Sequence, residues 1–220
     1  MTVIKSDHKF TNSKGFIVIE GVNGAGKSTL LNKILQYKNI KERSITTREP
    51  GGTNFGKKMR EILLSQTDSK LNPNTEVFLF AADRCEHVNT LIKPALDNKK
   101  LVFSDRYLYS TIAFQGFGRG LDIKELIEIN NIATSSLKPD LVILLDLDPE
   151  VGLRRTHKAN REEGDSFELE DLSFHNRLRD GFLDIAKNFD EPFFVVDASK
   201  SQEEMWESTK KVIDTWLSSL

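Results

Sequence analysis

Residues 21–28 read GVNGAGKS and follow directly on FIVIE. Two glycines five positions apart, Gly21 and Gly26, let the backbone curl so that successive N–H groups point inward at phosphate oxygens. Lys27 then reaches the outer phosphates of a nucleoside triphosphate, most simply ATP, and the Ser28 hydroxyl takes a position on Mg²⁺. The cradle as a whole is Gly21, Val22, Asn23, Gly24, Ala25, Gly26, Lys27, Ser28 and Thr29. A plain glycine turn between strand and helix would account for the glycines but not for the Lys-Ser pair. The guanine-reading pattern Asn-Lys-x-Asp is absent from the chain, which weakens a GTPase reading. A phosphate cradle does not name the recipient, which could be water, a protein or a small molecule.

Two arginine–carboxylate groups bear on the recipient. TTREPGGT carries Arg48 and Glu49, and FSDRY carries Asp105, Arg106 and Tyr107; each group ends a β-branched or apolar run. In parallel sheets ligands collect at the carboxyl edge of the strands. One arginine there is ordinarily a solvated charge. Two arginines and two carboxylates beside the cradle suit a second anion held against the first, with Asp105 or Glu49 organising Mg²⁺ directly or through water.

Five short runs must position these groups: 16–20, 44–47, 101–105, 141–147 and 193–198. Their hydrophobicity is nearly continuous instead of alternating, as in strands buried on both faces of a parallel sheet. Helical patterns lie between them. Leu30, Leu31, Ile34 and Leu35 form one stripe, and Met205, Trp206, Val212, Ile213, Trp216 and Leu217 form another, both read as core. Asp122 with Glu125, and Ser201 with Glu204, have the spacing of capping boxes. The expected class is therefore α/β, with a parallel sheet of about five strands flanked by helices. Phe78 and Leu79 read as core. The run 154–168, RRTHKANREEGDSFE, is too charged for core and reads as a mobile excursion from a single domain spanning 16–220, behind a polar, frayed tail at 1–15.

At 220 residues and 38% hydrophobic content the chain can bury a sizeable core. Its 31 basic and 33 acidic residues, a net charge of −2, give no global attraction to nucleic acid or to an anionic membrane. No apolar run approaches the roughly 18 residues of a membrane span. The one cysteine, Cys85, excludes an intrachain disulfide framework and reads as a packing residue. His8, His87, His157 and His175 lack paired ligand spacing and read as surface or packing residues. A soluble, cytoplasmic protein is expected.

Together the motifs EGVNGAGKST, TREPGGT, FAADR, DRYLYSTIAFQG and the stretch near VGLRRTHKANREEG resemble the thymidylate kinases, a branch of the P-loop nucleoside monophosphate kinases. The resemblance spans nearly the whole chain after the tail. It implies ATP and dTMP as partners, with Mg²⁺ on Ser28 and Asp105, and a homodimer formed through packed helices. It implies that Arg48 and Arg106 hold the acceptor monophosphate, with Glu49 beside them, and that Phe80 stacks on thymine. Arg84 would donate to a base carbonyl; at i and i+4 with Phe80 it shares one helix face. Thr111 and Gln115 would read the pyrimidine edge, and Tyr107 would pack against the sugar and disfavour a ribose 2′-hydroxyl. Lys27, Arg106 and the lid arginines Arg154 and Arg161, in a lid at about 154–168, would serve catalysis. Three residues depart from the family pattern. Asn23 stands where an acid is usual, Gly24 where one subclass has an arginine, and Ser166 where an arginine often precedes Phe-Glu.

In such a reaction the nucleophile is itself a phosphate oxygen. With a second pKa near ~6 it is largely dianionic at neutral pH and needs no general base. The difficulty is bringing two polyanions together, and the remedy is positive charge and positioning. The nearest rival is a deoxynucleoside kinase, with another nucleoside monophosphate kinase beside it. A deoxynucleoside kinase would need a carboxylate base such as Glu49, but the adjacent Arg48 favours an anionic acceptor. A nucleotide-driven switch leaves Phe80, Arg84 and Gln115 without a joint purpose.

Overall fold

Every residue of β1 (Phe16–Gly21) is buried, because it is the middle strand of five. The computed structural model describes residues 10, 13–65, 70–158 and 166–220. After β1 come α1 (Lys27–Leu35), β2 (Ser44–Arg48), α2 (Asn54–Leu64), α3 (Pro73–His87), α4 (Lys93–Asp97) and β3 (Leu101–Asp105). Then follow α5 (Leu108–Thr111), α6 (Ile123–Thr134), β4 (Leu141–Asp146), α7 (Pro149–Lys158), α8 (Leu172–Asn188), β5 (Phe193–Asp197) and α9 (Gln202–Leu217). Wider π-type turns extend α3 over Val88–Ile92 and α5 over Ile112–Gly118.

The strand order is β2-β3-β1-β4-β5 and every pairing is parallel, as the continuous apolar runs suggest, but β2 at the edge is half-exposed and is not buried on both faces as expected. Register aligns the strand ends: Asp105 lies opposite Ile19 and Arg48, and Gly21 lies opposite Leu145. The chain leaves β1 towards one flank and later returns to fill the other, so a crevice opens beyond β1 and β3 at their carboxyl ends. No helix among the described residues is long and apolar enough to cross a membrane.

Packing accounts for most of the stripes. Trp216 of α9 is fully buried, meets Phe103 edge to face at 5.9 Å and donates its indole N–H to Asp140. The same Asp140 carboxylate accepts the main-chain N–H groups of Lys14, Gly15 and Phe16, tying the start of β1 to the loop before β4. Ser201 and Glu204 form the reciprocal capping box at α9, whereas Asp122 caps α6 from its own side chain alone.

Four expectations need correction. Phe78 is 63% exposed, since Val77 and Phe80 take the inward faces of α3. Cys85 is exposed, two helical turns beyond Phe78 on the same face, and is not a packing residue. His87 is buried but lies in a charged network described below. The run 154–168 begins as the last turns of α7 and ends with Phe167 and Glu168 buried, so it is not wholly an excursion. Residues 159–165 of that run, and nearly all of the tail expected to fray, lie outside the described residues.

Helix α7 crosses the glycine loop backbone to backbone. A Cβ on Gly24 would overlap the Gly152 carbonyl, and a Cβ on Gly152 would overlap the Asn23 carbonyl. Gly24 has φ of 75°, so a side chain there would be strained as well as crowded. An arginine at Gly24 is thus incompatible with this approach. Helix propensity alone would make Gly152→Ala stabilising by about 1 kcal/mol. The overlap reverses the sign: urea unfolding should show a loss of about 1–3 kcal/mol, and the KM for ATP should rise several-fold as the loop is displaced.

Candidate active site

A cleft of about 450 Å³ lies beyond the carboxyl ends of β1, β2 and β3. The glycine loop forms one wall. Gly26 precedes α1 in a left-handed conformation, φ 95°, with no side-chain cap, so the first N–H groups of the helix remain open to an anion. Val22 and Ala25 turn their side chains into the core and do not line the cleft. Lys27 is buried and donates to the carbonyls of Gly21 and Val22, each at 3.1 Å. Burial, and next the Arg106 charge, lower its pKa to about 8, while Asp105, Glu20 and Glu168 oppose the shift. Ser28 and Thr29 line the same wall.

Arg106 joins this wall to the next. It follows β3 with φ of 74°, which bends the chain back toward the loop. Its guanidinium donates to Gly21 O at 3.0 Å, Ser110 Oγ at 3.1 Å and Asn23 Oδ1 at 2.6 Å. Beneath it Glu20 is fully buried and accepts from Tyr107 N (2.9 Å), Ser110 N (3.2 Å) and Ser110 Oγ (2.7 Å). Burial raises the Glu20 pKa against the pull of Arg106. Asn23 uses both ends of its amide, since Nδ2 donates to Glu168 Oε1 at 3.1 Å. An aspartate at 23 would keep Arg106 but set a second carboxylate against Glu168.

A second buried network ties the loop after β2 to α3. Glu49 accepts from Arg84 Nε at 2.7 Å and pairs with His87 Nδ1 at 2.8 Å. His87 Nε2 meets Thr47 Oγ1 at 2.6 Å, and Gly51 N donates to Asp83 Oδ1 at 3.3 Å. Burial, and then the Glu49 charge, push the Asp83 pKa up to about 6. Arg84 further donates to Thr111 Oγ1 at 2.9 Å, Asn130 Oδ1 at 2.5 Å and Tyr107 O at 3.2 Å, which occupies four of its five N–H groups. With its carboxylate committed to α3, Glu49 is not available to organise Mg²⁺. Its role is to position Arg84 and the loop that carries Arg48, an exposed residue lining the cleft.

The far end of the cleft is aromatic. Phe80 lies 6.1 Å from Phe167, and Phe167 meets Phe114 edge to face at 5.3 Å. Thr111 and Gln115 line the same end, and Gln115 donates through Nε2 to Glu76 at 3.0 Å. Tyr107 does not reach the cleft: it is buried edge-on against Phe16 and donates its hydroxyl to Leu137 O, so it cannot sense a sugar. Phe114 is the aromatic ring that faces the cleft from that segment, 5.2 Å beneath the Arg106 guanidinium.

Asp105 and Ser28 fit a hard cation. Oδ1 of Asp105 is buried without a protein partner, Ser28 is exposed, and both line the cleft. No cluster of three or more His, Cys, Asp or Glu that could hold a metal occurs among the described residues. Mg²⁺ is suited by such a sparse set, because it keeps several waters and takes substrate phosphates as ligands.

Of the expected lid arginines, Arg154 lies outward, pairing at 3.6 Å with Glu150, and does not line the cleft. Arg155 does, because neighbouring residues on a helix point about 100° apart; it also donates to Ala198 O at 3.1 Å. Arg161 lies outside the described residues. Ser166 donates to Leu63 O at 2.9 Å, fastening the end of this run to α2. Glu20, Glu76, Asp83, Phe114, Arg119 and Phe167 were given no role from the sequence, and His87 was read only as a surface or packing residue. The only available signal was a charged residue inside an apolar run, as at Glu20.

Comparison with known proteins places this geometry. The family model described as thymidylate kinase matches residues 19–209. A thymidylate kinase of Nitratidesulfovibrio vulgaris (strain DSM 19637 / Miyazaki F) is 44% identical over 209 residues, covering 92% of this chain and 97% of the relative. One of Carboxydothermus hydrogenoformans is 49% identical over 196 residues, covering 87% and 93%. The crystal structure of thymidylate kinase from Ehrlichia chaffeensis superposes with a TM-score of 0.74 at 29% identity, covering 92% of this chain and 99% of that one.

The lysine gives a test of the cradle. A bound triphosphate favours the ammonium form, so the pKa of Lys27 rises from about 8 on binding. Below that pH the affinity for ATP should be insensitive to this group. Above it each ATP brings in a proton, and affinity should fall by up to about tenfold per pH unit. Calorimetry in buffers of different ionisation enthalpy should show proton uptake at about pH 9 and little at about pH 7.

Proposed function

The chain belongs to the thymidylate kinase family, and from that premise we propose that it transfers the γ-phosphoryl group of ATP to the 5′-phosphate of dTMP, giving dTDP and ADP. One observation carries the reading: Arg106, suited to the acceptor phosphate, hydrogen-bonds at 3.0 Å to Gly21 O of the cradle that holds the donor. Donor and acceptor phosphates are thereby neighbours, as direct transfer requires.

The two phosphates are held by different groups. Lys27 and the open N-terminus of α1 take the outer phosphates of ATP. Arg106, with Arg48 across the cleft, takes the dTMP phosphate. An attacking oxygen of that phosphate forms a bond to the γ-phosphorus as the bond to the β,γ-bridging oxygen breaks, and ADP leaves with the electron pair. Mg²⁺ fits on Ser28 and Asp105, where it would neutralise charge on the transferring phosphates. Arg155 supplies further positive charge among the described residues of the lid at about 154–168, and by family resemblance Arg161, outside the described residues, would share this role.

At the aromatic end Phe80 stacks on the thymine ring, the remaining N–H of Arg84 serves a ring carbonyl, and Thr111 and Gln115 line the pyrimidine edge. Phe114 packs against the sugar, the place first given to Tyr107. A single catalytic domain over 16–220, working in the cytoplasm where both nucleotides are found, completes the reading.

A homodimer is supported by exposed apolar residues on three neighbouring helices: Phe55 and Ile62 of α2, Phe78 of α3, and Ile132 of α6, the last 80% exposed. Together they form a surface that a second copy would cover. In light scattering the wild type should have the mass of a dimer, and Phe78→Glu should lower it toward that of a monomer.

Activity is tested by ADP release with MgATP and, separately, dTMP, dUMP, UMP, CMP, AMP, GMP and thymidine. dTMP should be the best acceptor, and Arg106→Met should lower kcat/KM for dTMP by about 10²–10³-fold. Preference for thymidine would overturn the roles of Arg48 and Arg106. Slow ADP release whatever is added would replace the kinase reading with a switch.

A further inference from the structure

Gln115 is fully buried, and its two polar ends are treated unequally. Nε2 lies 3.0 Å from Glu76 Oε2, while Oε1 has no protein donor. The Glu76 carboxylate is itself pinned by Arg119, whose Nη2 lies 3.0 Å from Oε1 and whose Nε lies 3.3 Å from Oε2. Arg119 is held in turn by Glu170, ahead of α8, and sits 5.5 Å over the ring of Phe167. A carboxylate only accepts hydrogen bonds. Turning the amide over would press its oxygen against another acceptor and bury that clash.

We propose that Glu76, braced by Arg119, is a positioning residue that fixes which end of the Gln115 amide faces the base, and so selects pyrimidines that carry a proton on N3 over 4-aminopyrimidines. The inference rests on the dTMP reading above. Thymine offers N3–H, which the open Oε1 of Gln115 accepts. Cytosine offers a bare N3, so two acceptors would meet at a fully buried amide. Sites built for a substrate N–H reject analogues lacking it far more strongly than apolar pockets reject a missing methylene, because a buried polar group is left unpaired. Arg84, a donor near the same ring edge, adds to this selection but does not orient the amide.

The test compares kcat/KM for dTMP with that for 5-methyl-dCMP, which keeps the methyl group and differs at N3 and C4. In Glu76→Gln the partner can donate or accept, the Gln115 amide is free to turn, and the dTMP preference should fall at least about tenfold, or ~1.4 kcal/mol. The KM for ATP should stay within about twofold of wild type, which general damage to the fold would not allow. Glu76→Asp, which keeps an acceptor, should restore much of the preference. In a Gln115→Met background, Glu76→Gln should have no further effect on the ratio. If Glu76→Gln does not fold, Arg119→Gln loosens the same carboxylate and is read on the same ratio. A preference unchanged by Glu76→Gln but lost in Gln115→Met overturns the positioning role and leaves the base reading intact. A preference unchanged in Gln115→Met overturns both.

Discussion

Three cations, Lys27, Arg84 and Arg106, line the cleft at the carboxyl edge of the sheet, and a fourth, Arg119, lies against Phe167 at its aromatic end; each has carboxylates beside it. Glu49 holds Arg84, Glu76 holds Arg119, Glu20 lies 3.8 Å from Arg106, and Lys27 feels Asp105, Glu20 and Glu168. Without these partners the repulsion between Lys27 and Arg106 would disperse the groups that two nucleotide phosphates need close together. Such buried pairs add little net stability compared with apolar packing, but removing one partner costs about 3–5 kcal/mol because a lone charge stays buried. Their value here is geometric.

The pairing also decides which polar atoms are left over. Asp105 Oδ1 and Gln115 Oε1 are buried acceptors without protein partners, and both belong to residues lining the cleft. Unpaired acceptors in a dry site are costly, so these positions are ready for ligands that restore the missing bonds. The first suits a cation and the second an N–H donor. The aromatic end needs no such arrangement: Phe80, Phe114 and Phe167 supply flat apolar surface around whatever ring the polar groups select.

Loop geometry carries the same restraint to the rest of the fold. Asn23 links Arg106 to Glu168 with the two ends of one amide, so the glycine loop, the end of β3 and the segment ahead of α8 share a single side chain. Gly24 and Gly152 let α7 lie directly on that loop. A shift of α7 is therefore felt directly in the glycine loop.

The sequence by itself determined the strands, the phosphate cradle and the family, because these depend on local pattern. Short continuous apolar runs bounded by turns read as strands of a parallel sheet, although β2 at the sheet edge is only half-buried, and Gly-x-x-x-x-Gly-Lys-Ser makes its anion site from its own backbone. Phe80 and Arg84 were legible only through the family resemblance, since by pattern alone their stretch reads as core; their spacing of four adds that they share one helix face. Only the tertiary structure decided which charged residues point into the cleft. Tyr107 is turned inward and Phe114 outward by the tight turn at Arg106 and the wide helix that follows. Phe167 is buried out of a run that reads as solvated, and Arg155 instead of Arg154 faces the site by about 100° of helical rotation. Glu20, Glu76 and His87 meet partners 87, 39 and 38 positions away in sequence, spacings that follow no period. A buried carboxylate is specified by the cation that packing brings to it, and that meeting is settled by the fold.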